Sequence, residues 1–377
     1  MTAMADRAPR LLGNLVLSAA SVLAVALLAE IALRLLGYAP ERHGALAHVA
    51  NGRRTLFLDC YPDNPRGYFD IDLRDAATRE RYRRQGVRRV DAVAFRAPWA
   101  VECRYNSLGF RDSEIGPKPA GVLRVMVLGD SFTEAQGVKE ADTLPKVLER
   151  LLNEAEPGRW EVRNYGRRAT DFPALFEAFE KILAYDPDVV LYAMVLNDAA
   201  RPPSFEVRQK YLNDWIIDMD RMAAEGPPPA PGFFRPRLFD LVAGRVRSYR
   251  IGRETTQWYR EMYGPANREG WEQTQTYMRE MNRRMRERGG HLLVAGWPLL
   301  VGLEGIYPFE EQNLTIERFC LTAGIPRVDL LPPLRGRESS SLWVHPVDRH
   351  PNEIANRFAA EALLPAVRER GRGRRAP

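Results

Sequence analysis

The chain has 377 residues, of which 45% are hydrophobic and 28% charged. This is typical of globular proteins and excludes wholesale disorder. The formal net charge of +6 would suit a nucleic-acid-binding protein. However, the surplus lies in three separate arginine-rich windows, at Arg79–Arg89, Arg279–Arg288 and Arg368–Arg375, and the rest of the chain is net negative. Scattered windows do not form one binding face, so we expect no nucleic-acid partner.

The cysteines and glycines exclude several further classes of site. Three cysteines, with no CxxC pair and no Cys/His cluster at zinc spacing, indicate neither a disulfide-dense scaffold nor a structural zinc ion. No glycine-rich phosphate-binding motif is present, so a nucleotide cofactor is not indicated. Cys60 and Cys103 either form a disulfide, if their segment lies outside the cytoplasm, or stay unpaired. Cys320 falls on a predicted amphipathic helix and is expected to be buried.

The amino terminus carries a candidate membrane anchor. Residues Leu11 to Ala29 form a run of 19 residues without a charge, close to the roughly 20 needed to cross a bilayer. Arg7 and Arg10 precede it and favour a cytoplasmic amino terminus. We therefore predict that residues 1–40 form a cytoplasmic stub and a single-pass anchor in the inner membrane, with the rest facing the periplasm or cell exterior. A cleaved signal peptide and a buried helix of a soluble protein are the alternatives.

The remaining chain divides into an irregular extension and a domain of alternating strands and helices. Residues 41–120 are rich in Arg, Pro and Asp and are expected to wrap the domain that follows at 121–370, while 371–377 form a basic tail. Strands alternating with helices predict a mostly parallel sheet with right-handed crossovers. The predicted strands are Val125–Leu128, Trp160–Tyr165, Val189–Leu196, His291–Trp297 and Arg327–Leu331, and the predicted helices are Leu144–Leu152, Phe172–Ala184 and Pro351–Arg370.

Residues 199–290 interrupt this alternation. The segment contains Pro227–Pro229 followed by helical stretches rich in aromatic residues. An insertion after a strand's carboxyl end lies over the usual ligand crevice of an open α/β sheet. It is therefore interpreted either as a lid or acceptor-binding subdomain, or as a helical hairpin with its own small core.

The segment Val125–Val138 (VMVLGDSFTEAQGV) points to chemistry. A buried strand runs into Gly129-Asp130-Ser131 and then into the start of a helix. A serine at this position lies at the crevice, and its own backbone N–H, near a helix amino terminus, can stabilise an oxyanion. Thr133 stands where the GxSxG elbow of α/β-hydrolases has its second glycine, so that elbow is excluded.

A serine nucleophile needs a base that a third group orients. The chain has five candidate histidines, His43, His48, His291, His345 and His350. His345 and His350 lie in a predicted loop after the last strand, which opens on the same crevice as Ser131. Only His350 has an aspartate two residues before it, Asp348, and a helix start after it. His350 is the predicted base, with His345 as the alternative.

Four ordered blocks resemble the SGNH (GDSL-type) hydrolase family, in particular its membrane-anchored bacterial branch. The blocks are Gly129-Asp130-Ser131, Asn164–Ala169 (NYGRRA), Leu196-Asn197-Asp198 and Asp348–Asn352 (DRHPN), with a similar lead-in at Arg104–Asp112. The resemblance covers about residues 100–365. It implies a three-layer, flavodoxin-like α/β fold carrying the amino-terminal anchor and the helical insertion.

The resemblance also implies roles for individual residues. Ser131 is the family's nucleophile, and Asp348 and His350 complete its triad. The oxyanion donors are the backbone N–H groups of Ser131 and Ala169 and the side chain of Asn197. Ala169 replaces the family's glycine: its N–H survives, but a Cβ is disfavoured where φ is positive. The donor is therefore intact, displaced or replaced by Gly166.

Polar residues beside these blocks are expected to be structural. Asp130 is interpreted as a turn residue and helix cap, with a second catalytic acid as the alternative, and Asp198 as a structural carboxylate. Arg167 and Arg168 are interpreted as a solvated charge pair, with binding of an anionic substrate as the alternative.

Together these features predict a membrane-anchored serine ester hydrolase acting on O-linked acyl groups of envelope glycans or lipids, without a metal or organic cofactor. One alternative is a polysaccharide O-acetyltransferase that uses the same triad, because the family resemblance includes such enzymes. The other, motivated by Ala169, is a non-catalytic envelope binding protein with a degenerate site.

Overall fold

The computed structural model describes residues 7–38, 70–71, 99–100, 103–135, 137–168, 170–208, 210, 234–345 and 348–372. The described strands are β1 (Asp70–Ile71), β2 (Trp99–Ala100), β3 (Leu123–Gly129), β4 (Trp160–Gly166), β5 (Val189–Met194), β6 (His291–Gly296), β7 (Arg327–Asp329), β8 (Trp343–His345) and β9 (Asp348–Pro351). The described α-helices are α1 (Arg7–Leu35), α2 (Ser131–Glu134), α3 (Leu144–Ala155), α4 (Phe172–Ile182), α5 (Pro203–Glu206), α6 (Arg237–Glu261), α7 (Arg268–Glu287), α8 (Glu310–Thr322), α9 (Leu331–Leu334) and α10 (Glu353–Arg372). Short 3-10 turns occur at Glu140–Asp142, Leu183–Tyr185, Pro265–Asn267 and Ser339–Leu342.

Five of these strands form one parallel sheet in the order β4-β3-β5-β6-β7. Numbered from its first strand, this is the 2-1-3-4-5 order of flavodoxin-like folds, as predicted. Every residue of β3 and β5 is buried. These strands read as continuous apolar runs because helices cover both faces of the sheet.

The covering helices form the two outer layers. On one face α10 packs against α3 and reaches β5, β6 and β7. On the other face α4 packs against β3 and α7 packs against both α4 and β6. α8 joins this second layer, where the rings of Trp271 and Phe319 meet edge to face at 5.4 Å. The fold is the predicted three-layer α/β architecture.

Two features differ from the sequence predictions. The segment 199–290 ends in α7, whose side chains Met278, Met281 and Met285 are buried. Because α7 packs against β6, it belongs to the helix layer that covers the sheet and is not part of an insertion. The predicted loop bearing His345 and His350 is instead an antiparallel hairpin of β8 and β9 with an irregular register. Its strands are too short and too polar to show the alternation by which strands are recognised.

The amino-terminal helix α1 matches the predicted apolar segment. Its stretch Gly13–Leu35 has 23 residues, and none of it is buried. Among the described residues it is the one helix with the length and composition of a membrane span, and a signal sequence has the same properties. Its carboxyl end contacts the amino-terminal end of α6.

The cysteines fall into two states. Cys103 is disulfide-bonded and buried, whereas Cys320 on α8 is buried and free, as its helix pattern predicts. Cys60, the third cysteine, lies outside the described residues.

The carboxyl ends of β3 and β4 approach α2 more closely than any side chain would permit. Gly129 and Gly166 are paired in register at these ends. A Cβ added at Gly166 would lie 2.2 Å from the Glu134 backbone nitrogen, and one at Gly129 would lie 2.1 Å from Thr133 Oγ1. Both glycines are required for α2 to sit directly on the strand ends.

Replacing Gly166 with alanine should therefore destabilise the fold, because the new methyl group meets the backbone of α2. We expect a loss of about 1–3 kcal/mol or more in the free energy of unfolding, as for other overpacked sites. Gly305→Ala is the matched control, since a Cβ there meets open space. Urea denaturation of both variants measures the difference, and equal stabilities would refute the close approach.

Candidate active site

Residues from three predicted blocks meet at the carboxyl edge of the sheet. Ser131 is the first residue of α2, directly after β3, and Asn197 follows β5. The chain reverses its direction of strand addition between β3 and β5, and ligands of open α/β sheets bind at such a switch point. His350 arrives at the same place from β9.

The Ser131 hydroxyl contacts the predicted base. Ser131 Oγ lies 2.8 Å from His350 Nε2, within hydrogen-bond distance. Which of the two donates depends on the imidazole tautomer. The ring of Phe132 packs against the imidazole, with centroids 5.4 Å apart, and against Trp297 at 5.8 Å. Among the described side chains, His350 is thus the histidine that contacts Ser131. The side chains of His345 and Asp348 lie outside the described residues.

Asn352 fixes the position of the hairpin that carries His350. Its Oδ1 accepts hydrogen bonds from the backbone N–H groups of Ile354 and Ala355, at 3.0 and 3.1 Å, and so caps α10. Its Nδ2 donates to the carbonyl oxygens of Ser341 and Trp343 at 2.9 and 3.2 Å. One buried amide therefore ties the last helix to the hairpin.

Asp130 links the serine turn to Asn197. Its Oδ1 accepts from the Phe132 N–H at 2.9 Å, so Asp130 caps α2 as predicted. Its Oδ2 accepts from Asn197 Nδ2 at 3.2 Å, and the Ser131 hydroxyl lies 3.5 Å away. Both the helix and the oxyanion candidate are thereby held by one carboxyl.

The three predicted oxyanion donors differ in their surroundings. The Ser131 N–H, at the start of α2, makes no hydrogen bond within the described part of the chain. Ala169 lies outside the described residues. The N–H of Gly166, the alternative donor, donates to Asn164 Oδ1 at 2.9 Å, which disfavours Gly166 as a replacement for Ala169.

Arg168 is not the solvated residue that was predicted. Its side chain is 12% exposed and pairs with the buried carboxylate of Glu134, with Nη2 2.6 Å from Oε1. The backbone N–H of Arg168 also donates to Glu134 Oε2 at 2.7 Å. Tyr105 OH donates to the same carboxylate at 2.8 Å. Burial and the Glu134 charge raise the pKa of Tyr105, which keeps its hydroxyl a donor. Arg167, by contrast, is exposed.

Two residues of the segment Arg104–Asp112, which precedes β3, hold α2 and β4 in place, a role that the sequence did not reveal. Arg111 is 1% exposed, and its guanidinium donates to the carbonyl oxygens of Glu134, Ala135 and Val138. Asp112 accepts from the Asn164 N–H at 2.7 Å. No local pattern in the sequence indicates this burial, because Arg and Asp are rarely buried unless they are paired and these partners of Arg111 and Asp112 lie far away along the chain.

A second buried carboxyl lies beneath Asp130. Asp198 Oδ2 accepts from Tyr192 OH at 2.8 Å and from the Val195 N–H at 2.9 Å, a structural role as predicted. Burial, together with the negative charge of Asp130, raises the pKa of Asp198 well above its ordinary value. Burial also raises the pKa of Asp130, although the Phe132 N–H and the His350 charge oppose this.

These shifts have a defined sign in the stability of the protein. A raised pKa means that folded Asp198 keeps its proton at pH values where the unfolded chain has lost it. The folded state then binds more protons, so the free energy of unfolding falls as pH rises above the ordinary value of 3.8. Asp198→Asn retains the acceptor for Tyr192 and Val195 and should flatten this fall. Urea denaturation between pH 4 and about 8 measures the slope, and an unchanged slope would mean that Asp198 is ionised in the folded state.

The chain matches a known enzyme family across this site. A sequence model of the GDSL-like Lipase/Acylhydrolase family matches residues 127–358, more than half of the chain. No protein in the curated set matches significantly.

Several solved structures are similar to the chain. A catalytic mutant of an acetylxylan esterase from Geobacillus stearothermophilus is 13% identical, with 65% of this chain and 94% of that chain covered and a TM-score of 0.39. A member of the lipolytic protein G-D-S-L family from Veillonella parvula is 12% identical, with 65% and 97% covered and a TM-score of 0.34. A lipase/acylhydrolase from Enterococcus faecalis is 11% identical, with 66% and 97% covered and a TM-score of 0.36.

Proposed function

The chain belongs to the GDSL-like lipase/acylhydrolase family and is a serine esterase-type enzyme, and from this premise we propose that Ser131, His350 and Asp348 are its catalytic triad. The observation that carries the proposal is the 2.8 Å separation of Ser131 Oγ and His350 Nε2. A hydroxyl is a weak nucleophile until an adjacent base takes its proton. Nucleophile, base and crevice here coincide at one edge of the sheet.

The reaction proceeds in two halves. Ser131 Oγ attacks the ester carbonyl while its proton passes to His350 Nε2, and the tetrahedral intermediate collapses as the same proton is delivered to the leaving alcohol. Water then attacks the acyl-serine with His350 as base, releasing the carboxylic acid and restoring the hydroxyl. Every proton moves through the one imidazole.

Asp348 is proposed to orient that imidazole. It lies two residues before His350 in β9, and alternate residues of a strand share a face. A carboxylate bonded to Nδ1–H would hold the tautomer in which Nε2 accepts from serine and would stabilise the imidazolium.

The developing oxyanion is proposed to bind the N–H groups of Ser131 and Ala169 and the amide of Asn197. The Ser131 N–H lies at a helix amino terminus, where the helix dipole also favours negative charge. Asn197 is oriented by the hydrogen bond that Nδ2 makes to Asp130. Preorganised donors of this kind act only on charge that forms in the transition state.

The proposed setting is a bilayer surface. We assign α1 as an uncleaved anchor, with Arg7 and Arg10 on its cytoplasmic side and the site on the periplasmic or outer side. A tethered esterase meets acyl groups that are themselves attached to the envelope. The proposed substrates are therefore O-acylated glycans or lipids of that envelope.

The triad is tested by active-site labelling of the full chain in detergent. A fluorescent alkyl phosphonate should label the wild type and should not label Ser131→Ala or His350→Gln, because the first variant lacks the nucleophile and the second lacks the base that activates it. Hydrolysis of p-nitrophenyl acetate should be lost in parallel.

Two matched variants separate chemistry from folding in this test. Ser204→Ala changes an exposed serine on α5, and His291→Gln changes a histidine at the opposite end of the sheet. Both should label like the wild type. Retained labelling of Ser131→Ala would refute the nucleophile, and adding a polysaccharide acceptor and assaying its acylation separates hydrolysis from transfer.

The oxyanion assignment predicts a defect in kcat for Asn197→Ala. Loss of one donor should lower kcat by ~10²–10³ with little change in KM, because the ground-state ester does not need it. Steady-state kinetics with p-nitrophenyl acetate measure both constants. An unchanged kcat would remove Asn197 from the oxyanion site.

A further inference from the structure

The amino-terminal turns of α6 carry an exposed apolar face that the proposed reaction does not use. Phe239, Val242, Val246 and Tyr249 are between 44% and 67% exposed. Their spacing of three and four residues places them on one side of the helix. We define these four residues as the α6 stripe. Four large apolar side chains in one row are more than the scattered singles normal on a soluble surface.

Other side chains of these turns are less exposed than the stripe. Leu238 and Leu241 are partly buried, and Asp240 is buried in an ion pair with Arg235, 2.6 Å apart. Asp240 lies on the side of the helix opposite the stripe. The acidic side chain of these turns therefore does not oppose a negatively charged surface.

The end of α1 fixes where the stripe lies. Glu30 Oε2 accepts from the backbone N–H of Leu238 at 2.8 Å, in the first turn of α6. Arg34 pairs with Glu30 at 2.6 Å and donates to the Arg235 carbonyl at 3.2 Å. Glu30 follows the uncharged run of α1 and lies between one and two turns before Leu35, the last residue of the candidate span Gly13–Leu35, so it lies near the carboxyl end of that span. The first turn of α6 is hydrogen-bonded to this end of α1.

From these contacts we propose that the α6 stripe lies in the lipid–water interface of the bilayer that α1 crosses, with acyl chains against its apolar side chains. This inference rests on the proposed assignment of α1 as an anchor. An interfacial helix buries its apolar face about 5–10 Å into the headgroup and acyl boundary. Leu238 is hydrogen-bonded to Glu30, so Phe239 and Val242, in the first two turns of α6, lie close to the carboxyl end of α1.

Charge along α6 agrees with this occupant. Arg245 flanks the stripe, and Arg253 lies one turn beyond Tyr249 on the same side, both exposed. Arginines near the surface are attracted to anionic headgroups by about 1 kcal/mol each. Arg245 and Arg253 thus place positive charge beside the stripe, where the interface presents anionic headgroups.

The proposal is tested on the full chain reconstituted into vesicles of phosphatidylethanolamine and phosphatidylglycerol. Phe239→Cys and Val246→Cys are labelled with an environment-sensitive nitrobenzoxadiazole dye, and doxyl-labelled lipids serve as quenchers. Ile306→Cys is the matched control, because this large apolar residue is 96% exposed in a loop that contacts the carboxyl end of α6, at Arg260, and not the turns that carry the stripe. The unsubstituted chain gives the labelling background.

We expect blue-shifted emission and loss of fluorescence on doxyl quenching at positions 239 and 246, and neither change at 306. Vesicle flotation of the same samples reports on α1 separately. Flotation with unquenched stripe probes overturns the inference and leaves the anchor intact. Failure to float overturns both. Quenching that persists in Val242→Asp, introduced into the labelled variants, also counts against the stripe, because a charge there should lift the helix from the acyl region.

Discussion

The direct seating of α2 on the ends of β3 and β4 is the constraint on which the site depends. Gly129 and Gly166 pair across these strands, and neither position has room for a Cβ. Because α2 lies directly on the strand ends, the position of its first residue, Ser131, is fixed relative to the sheet. In this position the Ser131 hydroxyl lies 2.8 Å from His350 Nε2, which belongs to a separate hairpin.

Buried charged side chains also hold α2 in this position, at a cost in desolvation free energy that apolar packing would avoid. Arg111 donates to three carbonyls at the end of α2, and Glu134 on the helix holds Arg168 in the loop that leads to Ala169. Buried ion pairs contribute little net stability, but breaking one partner leaves an uncompensated charge. They therefore disfavour alternative positions of the helix more than they stabilise the chain. The contacts of Glu134 also connect α2, which begins at Ser131, to the loop after β4.

The sheet could be predicted from the sequence because its strands are apolar runs of a type that two covered faces require, and β3 and β5 are the clearest cases. Ser131, Asn197 and His350 could be predicted as site residues because each follows a recognisable strand or precedes a helix, in the order of the family that the sequence resembles. Arg168 was misjudged, since its partner Glu134 is distant in sequence and no local pattern shows the pairing. The α7 boundary was missed for a related reason: its methionines face a sheet that the local sequence does not display.

Helix α6, in the segment between β5 and β6, is fixed to the rest of the described protein at both ends. The carboxyl end of α6 is fixed to the body, where Trp258 stacks on Phe205 with centroids 5.9 Å apart. Just beyond it, Tyr263 OH donates to the Leu196 carbonyl at 3.0 Å, directly before Asn197. A lid must open at low cost, whereas these side chains are buried. The other end of α6 is hydrogen-bonded to α1, since Glu30 Oε2 accepts from the Leu238 N–H. One helix therefore connects the apolar helix α1 to contacts directly before Asn197, at the edge of the sheet that carries the candidate site.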